Sequence, residues 1–188
     1  MSEHALPSIL LNDFSANHLL RLPPKFYKTA KTYLNKEDLK KIQKAYSVAF
    51  YAHEGQERHD GSKYITHPLE VANVLLGLKM DPDSICAALM HDVLEDCDVN
   101  KSNLETLFGN DVAEIVDGVS KLSKLDITSK TDMDANNLQK MMLAMSKDVR
   151  VLLVKICDRL HNMRTIEHLP RFKQIQKSKE TIELYGPL

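Results

Sequence analysis

Along this chain the apolar residues first recur with a helical period at residue 39. Leu39, Ile42, Ala45, Tyr46, Ala49 and Phe50 share one helix face, and Asn35 followed by Lys-Glu-Asp supplies an N-cap. This helix is expected to end near Gly55. After a polar loop over 56–66, the apolar period resumes over 68–78, with Pro68 suited to a first turn. Asp81-Pro82-Asp83 opens a third helix, in which Ile85, Ala88, Leu89 and Leu94 form the buried face around His91 and Asp92. Further amphipathic segments span 101–108, 111–122, 136–146, 148–162 and 172–184. The best β-branched stretch, 149–156, lacks the strict alternation of a strand and lies within a longer helical segment. The pattern predicts an all-α fold, a helical bundle. Residues 1–37 carry two apolar runs, Ile9 to Leu11 and Leu19-Leu20, and a Pro23-Pro24 break. They are expected to form an N-terminal extension with two short helices, the domain itself covering 38–188. Between the helices, 125–134 reads as a polar loop able to cover a site.

Composition sharpens this picture only slightly. The 188 residues are 43% hydrophobic, with 6 Gly and 7 Pro, which suits one packed domain. The 25 basic and 26 acidic residues are intermixed, giving a net charge of -1 and no basic face for nucleic acid or an anionic membrane. Cys86, Cys97 and Cys157 form no C-x-x-C pair and sit in or beside apolar stretches, so reduced thiols and a cytoplasmic location are expected. The apolar runs are too short to span a bilayer, and Met1 to Leu10 lacks the pattern of a signal peptide.

Chemistry enters with His91-Asp92. An imidazole and a carboxylate inside an apolar helix are costly unless something satisfies them, and a metal ion does so. Glu95 and Asp96 follow four residues later, on neighbouring parts of the same helix surface. His67, in Tyr-Ile-Thr-His-Pro, and Asp158, in Lys-Ile-Cys-Asp-Arg-Leu-His-Asn, complete a set of two imidazoles and two carboxylates. Such a mixed N/O set suits Mn²⁺, Fe²⁺ or Zn²⁺ better than Ca²⁺ or Mg²⁺. Taken singly, each residue has a plainer reading. His67 could be a turn histidine, Asp158 a partner of Lys155, and Glu95 and Asp96 a solvated helix end, although acids there oppose the helix dipole. His53 is read as a helix-end residue or one that supports the ligands from behind, and His4, His18 and His168 as surface residues.

Six segments together resemble the hydrolase domain of the RelA/SpoT homologues, members of the HD superfamily that degrade guanosine tetra- and pentaphosphate. They are Ala-His-Glu-Gly-Gln-Glu-Arg (52–58), Tyr-Ile-Thr-His-Pro (64–68), Leu-Met-His-Asp-Val-Leu-Glu-Asp (89–96), Phe-Gly-Asn-Asp-Val-Ala-Glu-Ile-Val-Asp-Gly-Val-Ser-Lys-Leu (108–122), Leu-Ala-Met-Ser-Lys-Asp-Val-Arg (143–150) and Lys-Ile-Cys-Asp-Arg-Leu-His-Asn-Met-Arg-Thr (155–165). The resemblance implies an Mn²⁺ ion held by His67, His91, Asp92 and Asp158, with Glu95 and Asp96 assisting catalysis. It also implies that Arg58 packs on the guanine base, that Asn162 and Thr165 contact the nucleotide, and that Lys124 reaches a phosphate. The expected reaction is hydrolysis of the 3′-pyrophosphate to GDP or GTP and pyrophosphate. Where the family often has a basic residue after Arg58, this chain has His59 and Asp60, so a weaker positive rim is expected. The chain is also expected to be the N-terminal part of a longer bifunctional enzyme whose regulatory domains lie elsewhere, with a short stand-alone hydrolase as the alternative. Two rival readings are an HD phosphohydrolase acting on another nucleotide and a catalytically silent module that binds the alarmone.

Overall fold

Every residue of Ser84–Leu89 is buried, so one short helix forms the middle of the molecule and the others pack around it. The computed structural model describes residues 14, 16–123 and 148–186. Lys124, the 125–134 loop and the expected helix over 136–146 lie outside the described residues, as does His4. Among the described residues the structure is helical, with a single antiparallel bridge between Glu57 and Lys63. None of these helices is long and apolar enough to cross a membrane.

Helix α1, Pro24–Ala30, is followed by α2, Lys36–Ala52. Asn35 caps α2 by accepting from the backbone amides of Glu37 and Asp38, and the Asp38 carboxylate accepts in turn from the Asn35 backbone amide. The buried residues Leu39, Ile42, Ala45, Val48, Ala49 and Ala52 follow at helical spacing. Helix α3, Thr66–Gly77, leads to the central helix α4, Pro82–Leu89, whose first turn is capped by Asp81. A four-residue turn of helix, α5 (Val93–Asp96), then precedes α6 (Lys101–Phe108) and α7 (Asn110–Ser123). After the undescribed stretch come α8 (Val149–Arg164) and α9 (Arg171–Glu180), the last continuing as a π-helical turn over Thr181–Tyr185. Helix α4 packs against α2, α3 and α7, while α8 crosses α3 and α7. The α7–α8 crossing is close: a Cβ on Gly118 would stand 2.8 Å from Cγ2 of Val151.

Three local features differ from the sequence expectation. Helix α3 starts at Thr66, two residues early, because the chain already turns there. The amides of Thr66 and His67 bond the carbonyls of Lys63 and Tyr64, which places His67 in the first helical turn. Second, the helix carrying His91 and Asp92 is broken. It stops at Leu89, and His91 Nδ1 donates to the Ala88 carbonyl at 2.8 Å, the acceptor that the Asp92 amide would use in an unbroken α-helix. The Val93 amide bonds instead to Met90, three residues back, and α5 starts afresh after Asp92. Third, the segment read as an extension contributes to the core. Phe26 and Ala30 are buried, and the Tyr33 hydroxyl donates to the Met80 carbonyl at 2.9 Å.

Candidate metal centre and adjoining cavity

Three elements deliver one polar cluster. His67 comes from the first turn of α3, His91 and Asp92 from the break between α4 and α5, and Asp158 from the middle of α8. His67, His91 and Asp158 are 2%, 0% and 5% exposed, so bulk water does little to satisfy them. His67 Nε2 lies 3.2 Å from Asp158 Oδ1 and 3.7 Å from Asp92 Oδ2. His91 Nε2 lies 3.0 Å from Asp92 Oδ2 and 3.8 Å from Asp158 Oδ1. One ligand atom from each of His67, His91 and Asp158 falls within 4.8 Å of the others. Asp92 stands at the edge of this triad, and its Oδ2 also accepts the Tyr64 hydroxyl at 2.7 Å.

The donor set fits a divalent cation. A carbonyl can only accept, so the bond to Ala88 fixes a proton on His91 Nδ1 and points Nε2 into the cluster. That buried nitrogen has no hydrogen-bond partner; the Asp92 oxygen 3.0 Å away is near but not aligned. Two imidazole nitrogens and two carboxylates facing one small space need a shared positive charge. Without one, protonation serves. Burial acts to lower the His91 pKa, but the charges of Asp92 and Asp158 overcome it and raise it to about 10. Asp92 and Asp158 are held below the ordinary carboxylate range, the neighbouring imidazoles outweighing burial. For His67 burial dominates, lowering its pKa and favouring the neutral ring.

A second set of residues orients the first. Asp158 Oδ1 accepts from Asn162 Nδ2 at 2.6 Å, while Oδ2 accepts from Lys155 at 2.8 Å. The ion pair with Lys155 thus uses Oδ2, while Oδ1 is the oxygen nearest the two imidazoles. Lys155 also donates to Ser123 Oγ at 2.7 Å. His67 Nδ1 lies 2.7 Å from His161 Nδ1, and burial, then the nearby His67 and Arg58, lowers the His161 pKa to about 4. Tyr64 and His161 were not singled out from sequence, although both stand in the motif segments, and Lys155 was named there only as an ion-pair partner of Asp158. The helical spacing of 155, 158, 161, 162 and 165 was the available signal, since these positions recur on one side of a helix.

The other expected residues are distributed around this cluster. The Tyr64 hydroxyl lies 3.2 Å from Asp96 Oδ2 as well as beside Asp92, linking the two carboxylates. Partial burial lifts the Glu95 carboxyl above its ordinary value, against the opposing influence of Ser123 and Lys155. Arg58, Tyr64, Asn162 and Thr165 line a cavity of about 400 Å³, together with His168 and Lys173. Arg58 Nη2 donates to Thr165 Oγ1 at 3.2 Å. His59 and Asp60 border the same cavity, but one Asp60 oxygen is occupied by the amide and hydroxyl of Ser62. His53 caps the end of α2, stacks on Tyr64 with centroids 4.4 Å apart and touches Cys97 Sγ at 3.3 Å. Burial pushes the Cys97 thiol up to about 12, so it stays protonated near neutral pH.

The family model of the HD domain matches residues 45–188, three quarters of the chain and every residue of the cluster. This chain belongs to the HD-domain family. HD domains imply a divalent metal, and the His67, His91 and Asp158 cluster is a candidate site for it. Among curated relatives, this HD domain is 48% identical over 157 residues to the bifunctional (p)ppGpp synthase/hydrolase SpoT of Escherichia coli, covering 84% of this chain and 22% of that protein. It is 46% identical over 159 residues to the guanosine-3′,5′-bis(diphosphate) 3′-pyrophosphohydrolase of Vibrio cholerae, covering 85% of this chain and 23% of the relative. The chain thus spans less than a quarter of the length of these relatives. The solved structure of a metazoan ortholog of SpoT, described as hydrolysing ppGpp, shares the fold. Its TM-score is 0.59 at 23% identity, over 80% of this chain and 85% of the other.

Proposed function

We propose that this HD domain hydrolyses the 3′-pyrophosphate of guanosine tetra- and pentaphosphate, with Mn²⁺ held by His67, His91, Asp92 and Asp158. The observation that carries the reading is the buried, unpartnered His91 Nε2 facing two carboxylates beside a nucleotide-sized cavity. The names of relatives at 46 to 48% identity supply the substrate class. When bound, a divalent ion lowers the pKa of a water and polarises a phosphate oxygen.

The chain's own residues do the rest. Asp158 is oriented by Asn162 and Lys155, and Asp92 by Tyr64, so both carboxylates are pre-set toward the imidazoles. Water oxygen attacks the phosphorus bonded to the ribose 3′ oxygen, that P–O bond breaks, and pyrophosphate leaves while a hydroxyl stays on the ribose. Glu95 and Asp96 take the proton from the water. The raised pKa of Glu95 brings it closer to neutrality, which suits a base that must also give the proton back. Arg58 stacks on the guanine, Asn162 and Thr165 hold the nucleoside against the cavity wall, and Lys124 meets a phosphate. Three thiols outside any disulfide, Cys86, Cys97 and Cys157, suit a cytoplasmic enzyme.

The test is pyrophosphate release by metal-depleted protein, with Mn²⁺, Mg²⁺ or Zn²⁺ restored, on guanosine-3′,5′-bis(diphosphate) and a panel of other nucleotides. Release is expected from the 3′-pyrophosphorylated guanosines, restored best by Mn²⁺ and lost in Asp92→Ala. Equal turnover of other nucleotides would favour a different HD phosphohydrolase. Binding of the alarmone without turnover would favour the regulatory module.

A further inference from the structure

We infer that His161 is a positioning residue of the metal centre: its Nδ1 accepts the Nδ1–H of His67, fixing the tautomer in which His67 Nε2 offers a lone pair to the ion. The inference rests on the metal reading above and adds a residue to it.

The two Nδ1 atoms are 2.7 Å apart, with ring centroids at 4.9 Å and planes tilted by 38°. At that distance one ring must donate and the other accept. The far side of His67 decides which. Its Nε2 faces Asp158 Oδ1 at 3.2 Å and Asp92 Oδ2 at 3.7 Å, so a hydrogen on Nε2 would fill the space the cation needs. With Nε2 bare, the neutral ring carries its hydrogen on Nδ1, and His161 Nδ1 receives it. His161 then bears its own hydrogen on Nε2. His91 meets the same need differently, through the Ala88 carbonyl, which can never donate. His67 relies on an imidazole that could play either part, so its tautomer depends on how α8 holds that ring. Because α8 also carries Asp158, one helix sets a carboxylate ligand directly and orients an imidazole ligand through His161.

Three measurements on the intact chain test this. Metal-depleted wild type, His161→Leu and His161→Asn are titrated with Mn²⁺, free ion being followed by electron paramagnetic resonance. Loss of the acceptor in His161→Leu is expected to weaken binding by about 10- to 100-fold. His161→Asn, whose amide oxygen can stand near the place of Nδ1, recovers most of that loss. Thermal unfolding of the metal-free proteins identifies a variant that does not fold. Nitrogen NMR of Zn²⁺-loaded wild type, which needs no variant, is expected to find hydrogen on His67 Nδ1 and on His161 Nε2. Hydrogen on His161 Nδ1, a folded His161→Leu with wild-type affinity, or a folded His161→Asn as weak as His161→Leu each overturns the inference. Wild type that binds neither ion overturns the metal reading as well, which separates the two failures.

Discussion

His91 is the residue through which pH enters. In the metal-free protein Asp92 and Asp158 overcome the opposing effect of burial and raise its pKa to about 10, so at neutral pH the ring is protonated where an ion would sit. Loading must expel that proton. A raised pKa means the proton is held at every pH below it, so apparent Mn²⁺ affinity is expected to climb from mildly acidic toward alkaline solution. About one proton should leave per ion at neutral pH, since metal and proton compete for one nitrogen. Calorimetric titration in buffers of different ionisation enthalpy counts it, and a count near zero would contradict the arrangement. Glu95 makes a separate prediction. In the role proposed for it, a proton acceptor that does not ligate, its change to Gln should lower kcat by roughly 10²- to 10⁴-fold. Mn²⁺ affinity should stay as in wild type, and a loss of metal from Glu95→Gln would place the carboxylate among the ligands instead.

Among the elements, the α7–α8 crossing is the most exacting. Ala is the better helix former by about 1 kcal/mol, yet a Cβ at Gly118 meets a rigid, buried Val151 at 2.8 Å. Overpacking is expected to win, so Gly118→Ala should destabilise by about 1–3 kcal/mol in urea unfolding. Because α7 ends at Ser123 and α8 carries Lys155 and Asp158, the displacement should also weaken Mn²⁺ binding. Helix ends were legible where chemistry marks them. The expected 101–108 helix coincides with α6, whose start is capped by Asn100 and whose end is Gly109 at φ 89°. Ile65 offers no capping side chain, so the start of α3 was placed two residues late. The break at 90–92 was not legible, because it depends on a bond from His91 to a backbone carbonyl that hydrophobic period does not register. Proximity of Asp96 to Asp92 was expected from one continuous helix; in the structure the two share the Tyr64 hydroxyl across the start of a new one.

For the whole molecule, the all-α class followed from periodicity; among the cluster residues, His91 and Asp92 stood out as polar groups inside an apolar helix, while His67 and Asp158 were joined to them as a ligand set by the family resemblance. What stayed hidden were partnerships between distant segments, such as His67 with His161 and Tyr33 with Met80. The same long-range closure would make metal binding a folding term. The candidate ligands from α3, from the turn after α4 and from α8 meet only in the assembled bundle, so an ion held by them would bind the native state and not the unfolded chain. At a concentration about 100-fold above its Kd, one ion should then add about 2.7 kcal/mol. For a domain of this size that is roughly 5–10 °C in Tm. The shift should grow with the logarithm of Mn²⁺ concentration in differential scanning fluorimetry and vanish with a chelator. Asp158→Ala leaves Lys155 buried without its carboxylate and should begin from a lower Tm, so the informative quantity is the Mn²⁺-induced increment. An increment in Asp158→Ala equal to that of wild type would mean that the ion stabilises the protein from some other place.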